Sequence, residues 1–333
     1  MATILPYLLF VVGLLFLIKG GDWFVDGAVG IAHKFNMPEI LVGATVVSIG
    51  TTLPEVMVSA GGAIKGSSAI AYGNAIGSII CNTALVAAIT LAVKPGKVER
   101  KTLVIPVTFF FLAAALYAGV SYTTGYFSRP IGIILLAMFV TYMVIAISQA
   151  LKNKTPDAPA TNEEPEETKK SILDKIPEIP RFILLLVVGA ALIAFGANLL
   201  VDNGTIIATS LGVPETVIAL TFVALGTSLP ELVTAITSLA KGSGSLSLGN
   251  VIGANMFNMV LVSGTAITIN PFKMPVGKMI NGINASLLID IPIVFFVMLL
   301  MTVPPLIKGK LYRFQGIILL ATYAAFCAFQ FIS

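Results

Sequence analysis

The segment FVALGTSLPELVTAI, Phe222 to Ile236, sets a helix-breaking Pro230, a Gly226, the adjacent hydroxyls of Thr227 and Ser228, and the carboxylate of Glu231 inside a long apolar run. Each is costly at membrane depth. Proline removes a helix hydrogen bond and presses on the preceding turn, and a charge in hydrocarbon is expensive. The chain carries the pattern twice: TVVSIGTTLPEVMVSA, Thr45 to Ala60, has Gly50, Thr51, Thr52, Pro54 and Glu55 in the same order. One copy alone reads equally well as a proline kink beside a snorkelling acid; two copies need a joint explanation.

Composition fixes the solvent. Of 333 residues, 57% are hydrophobic and 11% charged, whereas a water-facing domain carries about 25% charged residues. The chain therefore reads as a multi-pass protein of the cell membrane, in contact with the lipid bilayer and not with nucleic acid. Ten apolar segments lie near 3–24, 38–64, 69–93, 102–121, 130–151, 179–201, 214–240, 245–269, 284–302 and 312–332. Most are long enough to cross ~30 Å of hydrocarbon as helices, and they lack the strict alternation of barrel strands. The fold expected is all-α, with ten transmembrane helices. Between the fifth and sixth segments, Lys152 to Glu178 is rich in Pro, Glu and Lys and reads as a flexible linker. It divides the chain into 1–151, a linker 152–178, and 179–333. Cys81 and Cys327 both fall in apolar segments and read as small buried hydrophobes, not as a disulfide or a metal pair. No cleavable signal peptide is expected, because no basic residue precedes the first apolar run.

Basic residues give orientation. Placing the amino terminus outside leaves only Lys65, Arg129, Lys273 and Lys278 of the 20 lysines and arginines on the outer side. Because these residues accumulate on the cytoplasmic face, both termini are expected outside and the linker inside.

The two GT[ST]LPE segments belong to a longer duplication. Shifted by 176 residues, the halves align without a gap over about fifty positions: Pro38-Glu39 meets Pro214-Glu215, Lys65-Gly66-Ser67 meets Lys241-Gly242-Ser243, Gly73-Asn74 meets Gly249-Asn250, Gly77 meets Gly253 and Asn82 meets Asn258. Five spans per half is an odd number, so the second copy enters the membrane from the opposite side. Inverted repeats are a transporter architecture, with the substrate at the repeat interface; a channel needs a continuous pore instead.

Around each motif the helix is expected to break and free carbonyl oxygens, which membrane depth tolerates only where they face protein or a cavity. The hydroxyls of Thr51, Thr52, Thr227 and Ser228 and one carboxylate from each copy point to an all-oxygen site suited to hard cations such as Ca²⁺. With no thiolate or imidazole expected nearby, zinc, copper and iron are disfavoured. Ser78 and Asn82 share one helix face, as do Ala254 and Asn258. The aligned Asp26 and Asp202 read as interfacial, Asp290 as an acid at a helix N-terminus, and Lys65 and Lys241 as anchors. An enzyme is disfavoured: there is no H-E-x-x-H motif, and the one histidine, His33, lies beside Lys34 in a short turn, a poor base for a buried serine.

GTTLPE with GNAIGS and Asn82, and GTSLPE with GNVIGAN and Asn258, closely resemble the two alpha-repeats of the cation/calcium antiporter superfamily, in particular its prokaryotic sodium/calcium exchanger branch. The resemblance spans nearly the whole chain. It implies four central helices from the repeats and two long tilted helices sliding against them. No cofactor is expected, and the chain is expected to be a monomer. The resemblance implies exchange of Na⁺ for Ca²⁺ by alternating access, or proton/calcium antiport on the same fold as the alternative. Glu55 and Glu231 would be shared carboxylate ligands. Thr51, Thr52, Thr227, Ser228 and Ser78 would serve sodium, Ser48 and Ala224 would offer backbone carbonyls, and Asn82 and Asn258 would complete the middle of the site. Three positions depart from the pattern: Asn258 stands where microbial members often have an acid, Ala254 where they usually have serine, and Ile79 where an Asn or another small residue is common.

Overall fold

The structure is a computed structural model that describes residues 4–35, 37–96, 98, 100–152, 177–210, 224–276 and 279–331. Among the described residues the secondary structure is helical apart from four two-residue strands. The helices are α1 (Leu5–Lys34), α2 (Glu39–Ile64), α3 (Ser68–Val93), α4 (Arg100–Thr123), α5 (Arg129–Lys152), α6 (Glu178–Ser210), α7 (Ala224–Thr227), α8 (Leu229–Ala240), α9 (Gly244–Ile269), α10 (Ser286–Lys308) and α11 (Arg313–Phe331). Eight of them, among the described residues, are long and apolar enough to cross a membrane; α8 and α11 are shorter apolar helices. The expected seventh segment is represented by α7 and α8, its first part lying outside the described residues. Residues 153–176 of the expected linker also lie outside them.

Two helices overrun their hydropathy boundaries. α1 has 30 residues and α6 has 33, about 45 and 50 Å at ~1.5 Å per residue. Both exceed the ~30 Å of hydrocarbon, an excess that tilting, kinking or projection beyond the hydrocarbon can take up. Hydropathy ends each segment near Asp22, Asp26 or Asp202, but the helices continue because they pack on each other through small residues. A Cβ on Gly20 would lie 2.9 Å from the Gly189 carbonyl oxygen, one on Gly196 2.7 Å from that of Gly13, and one on Gly27 2.6 Å from that of Phe182. Backbones this close are the signature of glycine-mediated helix packing. The partner numbers fall along α6 as they rise along α1, so the two helices run antiparallel. Gly13 and Gly20 are the repeat counterparts of Gly189 and Gly196, and each contacts the other's counterpart.

Further local structure repeats at the 176-residue offset. The turns after α2 and α8 are alike: Gly66 and Gly242 have φ of 75° and 82°, a conformation open to glycine at no steric cost. Ser67 N donates to Gly62 O and Ser243 N to Ser238 O. Loop pairing is reciprocal as well. β1 (Tyr126–Phe127), after α4, pairs antiparallel with β2 (Phe272–Lys273), after α9. The loop after α3 pairs with the loop after α10 through Val98 N to Gly309 O and Leu311 N to Gly96 O. β3 (Met279–Ile280) and β4 (Ile283–Asn284) form a small hairpin. Buried apolar residues form one large cluster among α2 to α5 and α8 to α11, and a second where α1 and α6 meet α2 and α9. Lys241, expected as an anchor, ties α8 to α1: its Nζ lies 2.7 Å from Asp26 Oδ1 and donates to the Asp22 carbonyl at 2.9 Å.

Candidate ion-binding site

The two proline motifs fold differently. In the second copy Ser228, at φ −92° and ψ 3°, separates α7 from α8. Pro230 then falls in the first turn of α8, where its missing N–H costs no hydrogen bond. In the first copy the expected break does not occur at the motif. Pro54 lies inside a continuous α-helical stretch, Ser48–Ile64, and the irregularity sits upstream as a π-helical turn, Gly43–Val47. The wider turn fits a hydrogen bond from Ser48 Oγ to Gly43 O, five residues back, at 2.7 Å. Lacking an N–H, Pro54 leaves the carbonyl of Gly50 without its i+4 donor.

α3 and α9 are disturbed at matching points. A π-helical turn begins at Asn82 in α3 (Asn82–Ala87) and at Asn258 in α9 (Asn258–Val262). Such turns inside α-helices are frequent at functional sites. Both asparagines are fully buried, and neither amide atom of either has a hydrogen-bond partner.

These elements converge. Glu55 and Glu231, both 0% exposed, interact electrostatically across the repeat boundary; the Ser78 hydroxyl faces Glu55, and that of Thr51 faces Glu231. Neither approach has hydrogen-bond geometry, and all four carboxylate oxygens are without partners, as are the buried hydroxyls of Thr52 and Ser228. Burying polar groups without hydrogen bonds costs about 1–3 kcal/mol each. A cluster of unpartnered, oxygen-rich side chains, two of them carboxylates, is the donor set of a hard cation. Ser48 is fully buried, Thr227 is half-buried, and Ala224 opens α7. A thiol lies nearby as well. Cys81 sits beside Ser228 and within electrostatic reach of both glutamates, and its sulfur accepts from the Tyr323 hydroxyl at 3.7 Å.

Asn250 belongs to the site's scaffold, a role that the sequence reading missed. Its Oδ1 accepts from Thr51 Oγ1 at 3.1 Å and from Ser48 Oγ at 3.3 Å, and its backbone carbonyl also accepts from Ser48, at 3.0 Å. Its repeat counterpart Asn74 stays within its own half, donating to the Glu55 carbonyl at 2.9 Å and to Ser59 Oγ at 2.8 Å. Asn255, also missed, donates to Thr83 Oγ1 at 2.6 Å. The Gly-Asn dipeptides were visible as repeats, but nothing in the spacing shows that one amide crosses between halves and the other does not.

The sodium/calcium exchanger protein family matches residues 5–148 and 181–332. The sodium/calcium exchanger MaX1 of Methanosarcina acetivorans is 29% identical over 351 residues, with 98% of each chain covered. An uncharacterized membrane protein of Methanocaldococcus jannaschii is 31% identical over 317 residues, 94% of each chain. Among solved structures, the sodium-calcium exchanger NCX_Mj soaked with Na⁺ and Sr²⁺ superimposes with a TM-score of 0.78 at 31% identity, covering 98% of both chains.

Proposed function

The chain belongs to the sodium/calcium exchanger protein family, and from that membership we propose that it exchanges Na⁺ for Ca²⁺ across a cell membrane by alternating access. The observation that carries this reading is the pair of fully buried, unpartnered carboxylates, Glu55 and Glu231, which face each other with the hydroxyls of Ser78 and Thr51 beside them. The ligand set proposed is Glu55, Glu231, Thr51, Thr52, Thr227, Ser228, Ser78, Asn82 and Asn258, with the backbone carbonyls of Ser48 and Ala224. Hydroxyls and carbonyls suit Na⁺; proton coupling needs none of them.

The fuller architecture, also proposed, is ten spans in two inverted five-helix repeats, 1–151 and 179–333, joined by a cytoplasmic linker 152–178, with both termini outside and the monomer as the working unit. The antiparallel packing of the repeat-equivalent α1 and α6 and the reciprocal loop pairings support it. Coupling follows from energetics. At about 100 mV and a tenfold Na⁺ gradient, each entering Na⁺ yields ~3.7 kcal/mol, while expelling Ca²⁺ against a gradient of about 10⁴ costs ~10 kcal/mol. Under those conditions three Na⁺ suffice and two do not, and a three-for-one exchange is electrogenic.

The test is Ca²⁺ uptake into vesicles reconstituted with the purified chain. An outward Na⁺ gradient should drive uptake and a matched outward H⁺ gradient should not. Uptake on the H⁺ gradient alone would replace this reading with proton/calcium antiport, and no uptake on either would overturn it.

A second result follows from asymmetry. Ala254 is fully buried one helical turn before Asn258, where its counterpart Ser78 offers a hydroxyl. Ala254→Ser should lower the Na⁺ concentration for half-maximal exchange by about fivefold, since one added oxygen contact is worth ~1 kcal/mol. An unchanged Na⁺ dependence would place residue 254 away from the ions.

A further inference from the structure

Buried hydroxyls on helices have a default partner, the carbonyl four residues back. Thr45, Thr83, Thr90, Ser121 and Thr302 all use it, at 2.6 to 3.3 Å. Among the described residues, four fully buried serine and threonine hydroxyls have no hydrogen-bond partner: Thr52, Ser228, Thr234 and Ser238. Thr52 and Ser228 are repeat counterparts in the site already described. Thr234 and Ser238 are not, yet each is 0% exposed. They lie three and seven residues beyond Glu231 on α8, so all three side chains share one face. That face is buried, whereas Val233 and Thr237 on another face of α8 meet Gly21 of α1. The first copy has no such column, because the counterparts of Thr234 and Ser238 are Val58 and Gly62.

The column leads away from Glu231 toward the end of α8 that carries Lys241. Gly242, four residues past Ser238, lines a cavity of about 730 Å³. Thr90, Lys94 and Ser247 line the same cavity, and the hydroxyls of Thr90 and Ser247 meet at 3.3 Å. By the lysine distribution this is the cytoplasmic face.

We propose that Thr234 and Ser238 line a cation passage, in which their hydroxyl oxygens replace hydration water on Na⁺ or Ca²⁺ moving between Glu231 and the cytoplasmic cavity. The assignment rests on the exchange reading above. A passage differs from the central site in what its loss changes. A ligand of the resting ion sets affinity, whereas a passage oxygen sets rate.

Thr234→Val is nearly isosteric and Ser238→Ala removes one atom. Three quantities are measured on the full-length chain: Na⁺-driven uptake of radiolabelled Ca²⁺ in vesicles, equilibrium Ca²⁺ binding in detergent, and Tm. Maximal uptake in the double variant should fall by about tenfold, with Ca²⁺ affinity held within about threefold and Tm unchanged or raised, since an unpartnered buried hydroxyl stabilises nothing. Thr234→Ser, which keeps the oxygen, should restore most of the rate. Wild-type uptake in the double variant would overturn the proposal. So would a parallel loss of affinity and rate, which would make the two residues part of the central site, or a fall in Tm with the rate, which would make them structural. Absence of exchange in the unmodified chain would instead strike the exchange reading itself.

Discussion

Glu55→Gln and Glu231→Gln should each reduce Na⁺-driven Ca²⁺ exchange by at least about 100-fold, a loss of ~2.8 kcal/mol or more in ion stabilisation. The amide keeps the shape and one oxygen of the carboxylate but loses its charge, and Ca²⁺ affinity depends on ligand charge count. Folding should survive. In both cases the residue replaced is a fully buried carboxylate with no hydrogen-bond partner and a like charge facing it, so removing the charge relieves repulsion. Two measurements separate this from damage to the fold. Tm without Ca²⁺ should hold or rise, while the Ca²⁺-induced increase in Tm should vanish. In the unmodified chain that increase corresponds to ~2.7 kcal/mol at a hundredfold excess over Kd. Wild-type exchange in either variant would remove that glutamate from the site, and a large drop in Tm without Ca²⁺ would mean that it supports the fold.

The fold was legible because membrane burial and duplication both write strong patterns. Ten apolar runs, one polar interruption and a gapless 176-residue offset appear without any knowledge of contacts. The carboxylates and their adjacent hydroxyls were legible because each violates a rule of its surroundings, and does so twice. What stayed hidden depends on how the two copies differ in three dimensions. Pro54 and Pro230 are identical in the motif, yet one sits inside a helix and the other starts one. The ends of α1 and α6 were misplaced because hydropathy stops at the first aspartates, whereas glycine packing carries the helices past them. Asn250 and Asn74 align, but only Asn250 reaches across to Ser48 and Thr51. The shared pattern marks the candidate residues, and the departures from symmetry decide what each one contacts.

Those departures meet at Gly249, where Gly249→Ala should cost exchange almost entirely. A Cβ there would fall against the Ile40 carbonyl oxygen of α2, with Ile40 C at 2.8 Å and Cα at 2.9 Å. All three atoms are backbone, so no rotamer change relieves the clash and the helices must separate. Overpacking of this kind costs about 1–3 kcal/mol, occasionally more, and Tm should fall accordingly. The functional loss exceeds the stability loss because the next residue is Asn250, whose amide oxygen holds Ser48 and Thr51 at 3.3 and 3.1 Å. Moving α9 away from α2 lengthens those bonds and displaces the Thr51 hydroxyl that faces Glu231. Gly253 repeats the approach one turn later, where a Cβ would lie 2.6 Å from Ala44 Cα. The control is Gly244→Ala at the start of α9, where a Cβ meets nothing among the described residues and alanine is the better helix former. Gly244→Ala should keep wild-type Tm and exchange. Equal behaviour of the two variants in thermal unfolding and Ca²⁺ uptake would show that the α2–α9 contact can relax, and that the ions are positioned without it.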